Sequence, residues 1–534
     1  MSSPVDRRTF LSSSGLIMGT GPYLSRPARR TRFPGHPFQL GVASGDPTPD
    51  GVVLWTRLAP MPLYPDPATP GGMAPEAVPV RWEIARDEQF RDVVQRGDTI
   101  ARPELAHTVH VEVGGLRPGR DYFYRFRAGS EISATGRTRT APEQNVREVR
   151  YAFVSCQMYE HGFFTAYRHL AAEDLDVILH LGDYIYEYGA ADHPVATGGD
   201  ARGHGQGPAM DLAGYRLRHA VYRIDPDLQA AHAAAPWVVT WDDHDVADNY
   251  LDGGNPAAFV NRRAAAYQAY YEHLPLRTSS VPQGPQMRLF RRLGYGDLMD
   301  LHVLDTRQYR NAPPVPGGAT VAGPERLDPR RSILGDAQER WLADGLTRSR
   351  ARWQIIAQQV FFSPRFFPPG DEIQLDSWDG YPANRNRLLN TLAERHIRPV
   401  VLTGDVHSNW AAELKSDFDD PDSATVGAEL VGTSISSGGN GSDTHMDTDT
   451  ILAENPHLKF FDNHRGYVRC TVTPDHLRAD FRVVPYVSRP GAPVYTRASF
   501  QVEAGRPGLR KVLDRSPSPT QRLALPTAEA AAEG

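Results

Sequence analysis

The chain of 534 residues carries 58 Lys plus Arg against 64 Asp plus Glu, a formal net charge of −6. That near balance excludes a broad basic field of the kind that holds nucleic acid, so no stable nucleic-acid partner is expected. The length predicts two or three domains at roughly 150 residues each, and beyond the first segment no apolar run approaches the ~20 residues of a membrane span, so the mature body is expected to be soluble.

Residues 1–32 place Arg7 and Arg8 ahead of Phe10 and Leu11, followed by a modestly apolar stretch without acidic residues. Paired arginines before a weak apolar region predict export by the twin-arginine (Tat) translocase, and hence a secreted or cell-envelope location. No clean Ala-x-Ala cleavage site follows. From 38 to 142, VVLWTRL, VRWEIARD, HTVHVEVGGL and DYFYRFRAG alternate between Pro, Gly and Asp, which predicts an antiparallel β-sandwich. Within it LRPGRDYFYRF is similar to the corner of a fibronectin-type-III module.

After a polar linker at 143–148, strand-like and helix-like segments alternate through residue 488, among them YAFVSC, FFTAYRHLAAE, DVILHLGD, DLMDLHVLDTR, GDAQERWLADGLTRS, WQIIAQQV and PVVLTGD. That order predicts an α/β core with α+β-like layering, built on parallel crossovers. Residues 489–534 turn poor in apolar side chains and are expected to form a disordered tail.

Four separated apolar runs end in metal-type donors: YAFVSCQ at Cys156, VILHLGDYIY with Asp183 and Tyr186, WVVTWDDHD with Asp242 to Asp245, and PVVLTGDVHSN with Asp405, His407 and Asn409. Runs of about four to eight apolar residues have the length of buried strands. In an open α/β sheet, ligands gather beyond the carboxyl ends of the strands, so the four ends can meet in one crevice. A single Asp or His after a strand is more often a turn former or helix cap. Thiolate, phenolate, carboxylate and imidazole at four equivalent ends point instead to a multi-metal hydrolase.

Donor type constrains the metal. Cys156, Tyr186 and His407 form the softer set, and phenolate suits ferric iron. Asp183, Asp243, Asn249 and Asp405 offer oxygen, which suits calcium, magnesium or manganese, with Asp183 placed to bridge two ions. Such a site favours in-line displacement at phosphorus. The chain's other cysteine, Cys470, could pair with Cys156 in an exported protein, but the strand-end position of Cys156 favours a free thiolate. Arg168 and Arg307 are candidates to hold phosphate, with structural ion pairs as the alternative. GTSISSGGNG, Gly432 to Gly441, is either an anion cradle of backbone N–H groups or a plain connection.

GDYIY matches the Gly-Asp-x-x-Tyr block of calcineurin-like and purple-acid-phosphatase-like enzymes. More closely, FQLGVASGDPTPDGVVLWTRLAP, FVSCQMYEHGFFTAYRHLA, HLGDYIYEYG, TWDDHDVADN, VLTGDVHSNWAAEL, GTSISSGGNG and FQVEAGRPGL resemble the PhoD-type alkaline phosphatase/phosphodiesterase family, from about Phe38 to Leu509. The resemblance implies an exported phosphoesterase with one Fe3+ and two Ca2+. It implies Cys156, Asp183, Tyr186 and His407 as iron ligands, Asp183 bridging, and Asp243, Asn249 and Asp405 as calcium ligands. His244 falls where the superfamily keeps a histidine that protonates or orients the leaving oxygen. The sequence departs from the family pattern where Asp245, Ala247, Asp248 and Tyr250 replace Glu, Glu, Asn and Trp, which puts calcium selectivity in question.

The expected protein is therefore a monomeric, exported alkaline phosphatase acting on phosphate monoesters, with diesters as a second class, in phosphate scavenging. Two alternatives stand beside it: a phosphodiesterase acting on phospholipid headgroups or wall teichoic acids, and a metal-free surface binding protein.

Overall fold

In the computed structural model the described residues are 32–195, 199–250, 256–312, 319–321, 323–367, 372–420, 422–444 and 447–515. The predicted export segment falls outside them, apart from Arg32.

The N-terminal strands are β1 (Val42–Thr48), β2 (Gly51–Arg57), β3 (Val78–Ala85), β4 (Val93–Ala101), β5 (Thr108–Val113), β6 (Asp121–Ala128), β7 (Glu131–Ile132) and β8 (Gly136–Arg139). Then come β9 (Val149–Val154), α1 (Thr165–Ala171), β10 (Val177–His180), α2 (Leu212–Arg223), α3 (Pro226–Ala234), β11 (Trp237–Val239), α4 (Pro256–His273), β12 (Arg291–Tyr295), β13 (Met299–Val303) and β14 (Ala319–Val321). They are followed by α5 (Gly335–Arg348), β15 (Trp353–Ala357), β16 (Glu372–Gln374), α6 (Pro382–Glu394), β17 (Val400–Thr403), β18 (Asn409–Lys415), β19 (Thr425–Val431), α7 (Thr448–Glu454) and β20 (Leu458–Asp462). The chain closes with β21 (Arg465–Val472), β22 (His476–Val484), β23 (Tyr495–Glu503) and β24 (Arg506–Asp514).

Two mixed sheets organise these elements. One has ten strands in the order β24-β23-β22-β21-β9-β10-β11-β1-β2-β5, the other seven in the order β12-β13-β15-β17-β19-β18-β20. Strands β9, β10 and β11 run parallel in the first, and β13, β15, β17 and β19 run parallel in the second. Period-two alternation sends successive side chains to opposite faces, so each apolar strand feeds two cores. Tyr151, Phe153, Leu179 and Val238 of the first sheet meet Leu301, Ile355, Leu402 and Leu430 of the second between the sheets. Ala152, Val154, Ile178 and Val239 face outward onto Tyr167, Tyr215, Leu228 and Tyr267 of helices α1 to α4. On the far side, Ile356 and Val401 pack on Leu342 and Leu346 of α5 and on Leu388, Leu389 and Leu392 of α6. The result is four layers, helix–sheet–sheet–helix.

The four donor-bearing runs therefore divide between two sheets instead of sharing one. β9, β10 and β11 lie side by side in the first, while β17 comes from the second. Hydrophobic length marks a strand as buried but does not say which sheet it joins.

The N-terminal segment forms the expected antiparallel sandwich, one layer of which is shared with the core. Its five-stranded antiparallel sheet (β4-β3-β6-β7, with β8 on β6) packs through Val80, Ile84, Tyr124 and Phe126 against Val42, Leu54 and Val109 of β1, β2 and β5. Those three strands extend the ten-stranded sheet. The join is a parallel contact of β1 with β11 at Gly45 and Trp237. A Cβ on Gly45 would meet the Pro275 carbonyl oxygen at 2.4 Å and that of Trp237 at 2.8 Å.

The expected disordered tail is corrected as well. Tyr495–Glu503 and Arg506–Asp514 are antiparallel strands, and Ala498, Phe500 and Val502 enter the core between the sheets. Charged side chains in RPGLRKVLD suit an edge strand, where one row of backbone groups faces water. Residues 516–534, the remainder of that tail, lie outside the described residues. No helix among the described residues is long and apolar enough to cross a membrane.

Gly45→Ala is expected to lower the urea unfolding free energy by about 1–3 kcal/mol, because backbone oxygens cannot yield as a side-chain tip would. An unchanged midpoint would show that the join of β1 to β11 does not depend on this approach.

Candidate metal centre

The site lies where the parallel strands of both sheets end. Cys156 follows β9, Asp183 follows β10, Asp242 and Asp243 follow β11, and Asp405 and His407 follow β17. Each turn bends sharply. Cys156, Asp183, Asn249, Asp405 and His407 all have positive φ, between 49° and 66°. Non-glycine residues seldom adopt that region, and they persist there only when their surroundings fix them. Those surroundings are visible: the Cys156 and Gln157 N–H groups donate to the carbonyls of Gly182 and Asp183, both at 3.1 Å. Gly182 itself, at φ 115°, lies so close to Asp242 that a Cβ would meet the Asp242 Cβ at 2.3 Å.

The donors converge. Cys156, Asp183 and His407 each offer an atom within 4.8 Å of the others, as do the trios Asp183–Asp243–His244 and Asp242–Asp243–Asp405. Tyr186 OH lies 3.1 Å from Asp183 Oδ2 and 3.1 Å from His407 Nε2, and Cys156 Sγ lies 3.5 Å from the same Asp183 oxygen. Both cysteines are free and buried.

Electrostatics give this cluster its character. Burial first, then repulsion from Asp243, Asp245 and Asp405, pushes the Asp183 carboxyl well above the usual carboxylate range. Burial likewise raises Asp242 and lifts Asp405 to about 6, against the pull of Arg307. The Cys156 thiol and Tyr186 phenol are pushed up by burial and by Asp183. His407 goes the other way: burial, Arg465 and His244 lower it to about 3, so its imidazole is neutral and its nitrogen free to donate a lone pair. A multivalent cation among these donors relieves each penalty at once, and the mixed thiolate, phenolate, carboxylate and imidazole set fits such an ion.

Cations of the chain supply part of the compensation. Arg307, fully buried at the end of β13, pairs with Asp242, with Asp376, and with Asp243 and Asp405 at 3.4 and 3.5 Å. Arg310 joins Asp376 at 2.8 Å and donates to the Asn249 carbonyl at 2.6 Å. Arg307 is thus a multiple ion-pair partner, the alternative to a phosphate contact. His244 Nδ1 lies 3.0 Å from Glu187 Oε2, its ring stacks on Tyr186 at 4.3 Å, and its backbone N–H donates to Asp183. Burial opposes its charge, yet Asp243, Glu187 and Asp183 hold its pKa well above the ordinary value.

Other expected residues fall elsewhere. Arg168 is exposed and pairs with Asp227 at 3.0 Å, because its position on α1 turns it away from the crevice. Asn409 is spent on the Thr433 N–H and on Asp462. The Asn249 backbone donates to Asp243 Oδ2 at 2.6 Å, while its side-chain amide donates to Asp248 at 2.9 Å. Asp245 accepts the N–H groups of Tyr184, Ile185 and Asp242, so the shortened side chain at this position braces backbone. GTSISSGGNG is no anion cradle: the N–H groups of Ile435, Ser436 and Ser437 donate to the carbonyls of Ser155 and Cys156. Ser437 Oγ donates to Tyr186 OH at 2.9 Å, and Arg465 binds the His407 carbonyl. The strand-end pattern misses Glu187 and Asp376. Glu187 could have been found beside Tyr186 in GDYIYE, whereas Asp376 sits in a loop with no strand-end signal.

Residues 151–481 match the family model of the PhoD-like phosphatase, and residues 25–142 that of the PhoD-like phosphatase N-terminal domain. The chain belongs to the PhoD-like phosphatase family. It is 51% identical over 525 residues to alkaline phosphatase D of Bacillus subtilis (strain 168), covering 95% of this chain and 89% of that protein. A solved structure of PhoD superposes with a TM-score of 0.88 at 52% identity, covering 91% of this chain and 94% of the other. As a member of this family the protein is a phosphatase, a hydrolase of phosphate esters, which removes the binding-protein alternative.

Arg307→Met is expected to destabilise the fold by about 3–5 kcal/mol, since it leaves buried carboxylates without their counter-charge. Chemical unfolding of variant and wild type measures this, and equal midpoints would contradict the pairing described.

Proposed function

We propose that this phosphatase is an exported alkaline enzyme that hydrolyses phosphate monoesters, and diesters as a second class, at one ferric and two calcium ions for phosphate scavenging. Cys156, Asp183, Tyr186 and His407 would hold the iron, and Asp243 and Asp405, with Asn249 as a third oxygen donor, the calcium. The observation that carries this reading is the meeting of Tyr186 OH, Cys156 Sγ and His407 Nε2 around the Asp183 carboxylate. The relative named alkaline phosphatase D supports the same chemistry. When bound, such ions supply Lewis acidity and charge neutralisation at phosphorus.

The chain's own residues complete the site. Glu187 accepts a hydrogen bond from His244 Nδ1–H, leaving Nε2–H as the ring's remaining donor toward a departing oxygen. Asp243, Glu187 and Asp183 favour the protonated ring, which keeps that donor in place. Arg307 fixes Asp243 and Asp405 in place, and Arg465 and Ser437 fix His407 and Tyr186. Arg7 and Arg8 support delivery by the Tat translocase to the cell envelope or beyond, as a monomer.

Cys156→Ala should lose iron, by elemental analysis, together with most p-nitrophenyl phosphate turnover, while its circular dichroism is unaltered; retained iron and activity would sink the assignment. His244→Ala should lower kcat by about 10²–10⁴-fold. Its loss should be larger for alkyl phosphates than for p-nitrophenyl phosphate, whose leaving group needs no proton. Equal losses on both would remove His244 as the proton donor. Turnover ratios for p-nitrophenyl phosphate and bis-p-nitrophenyl phosphate decide between monoester and diester preference.

A further inference from the structure

Buried arginines are normally paired, because an unpaired charge away from water is costly. Around the metal centre Arg307 and Arg310 pair with Asp376, Arg385 pairs with Asp379 at 2.7 Å, and Arg465 spends its guanidinium on the His407, Ser437 and Asn463 carbonyls. Arg365 does neither. It is 8% exposed and, among the described residues, forms no ion pair, and its Nε has no hydrogen-bond partner. Its guanidinium carbon lies over the rings of Phe361, Phe367 and Trp410, at 4.7, 4.8 and 5.5 Å from their centroids. Ring faces stabilise a planar cation without consuming its N–H fork.

Position makes this cation informative. Arg365 lies on the segment that follows β15, and β15 sits between β13 and β17 in its sheet. The neighbouring strand ends deliver Arg307 on one side and Asp405 and His407 on the other. Val406, between those two, packs into the apolar cluster that contains Phe361, Phe367 and Trp410. Arg365 and Asp405 are near enough for each charge to act on the other, though not paired. The segment is also anchored. Phe362 and Ser363 N–H groups donate to Glu429, both at 2.8 Å, the Arg365 N–H to Asp379 at 3.0 Å, and the Phe366 N–H to Asn455 at 3.0 Å. A fixed guanidinium with unspent donors at the edge of an anion-processing site is preorganised for a phosphoryl group.

We propose that Arg365 is a substrate-binding residue that donates its guanidinium N–H groups to the non-ester oxygens of the phosphate ester and of the phosphate product. This rests on the phosphatase reading of the metal centre. Arg168 and Arg307, the arginines that the sequence singled out, are both committed to carboxylates. Arg365 supplies the cationic contact they cannot.

The test uses the metal-loaded protein, with Arg365→Met keeping the length of the side chain and Arg365→Lys keeping its charge. The readouts are KM and kcat for p-nitrophenyl phosphate, the inhibition constant of inorganic phosphate, metal content and unfolding midpoint. Losing a charge-assisted hydrogen bond predicts that Arg365→Met raises KM and the phosphate inhibition constant about 10- to 100-fold. Metal content and midpoint should match wild type, and Arg365→Lys should recover part of the affinity. A wild-type inhibition constant in Arg365→Met overturns the proposal. So does loss of metal or fold in both variants, which would make Arg365 a packing residue. A wild type without metal or turnover overturns the metal-centre reading itself, and this assignment with it.

Discussion

The structure depends on holding several anionic donors in a buried crevice where they repel one another. Asp183, Asp242, Asp243 and Asp405 are almost fully excluded from water or wedged between neighbours that are, and Cys156 and Tyr186 lie beside them. Desolvation alone would neutralise most of these groups. Arg307 and His244 offset part of that tendency, and the remainder is what makes the cluster a receptor for multivalent cations. Left-handed backbone at Cys156, Asp183, Asp405 and His407 points the same way, since strain of that kind survives only where packing on all sides dictates it.

The fold supplies that packing by bringing two parallel strand sets together at their carboxyl ends. The first sheet contributes the thiol, the phenol and three carboxylates, and the second contributes Asp405, His407, Arg307 and Arg365. The apolar interior between the sheets fixes their spacing, so a change there would move the donors relative to one another. The GTSISSGGNG segment ties the halves through the Ser155–Ser434 bridge and the N–H groups that converge on the Cys156 carbonyl.

Much of this was legible in the sequence because buried parallel strands read as short apolar runs, and the donors follow directly. Cys156, Asp183, Tyr186, Asp243, Asp405 and His407 lie together just beyond the ends of those runs. What was not legible depended on tertiary partners. Nothing in PVVLTGD reports that β17 joins a different sheet from VILHLGD, and nothing in RPGLRKVLD distinguishes a charged edge strand from a loose tail. Arg168 and Arg365 differ only in what surrounds them, a surface carboxylate for one and three aromatic rings for the other. Asp376 reaches the site from a loop whose local sequence carries no ligand pattern, and its role exists only through Arg307 and Arg310.

In the centre we propose, sulfur, phenolate, carboxylate and imidazole share one iron. X-ray absorption at the iron edge of the metal-loaded protein tests it most directly. The account predicts a single sulfur scatterer in the first coordination shell, lost in Cys156→Ser. A shell of oxygen and nitrogen alone in the wild type, or a spectrum indifferent to that substitution, would contradict it.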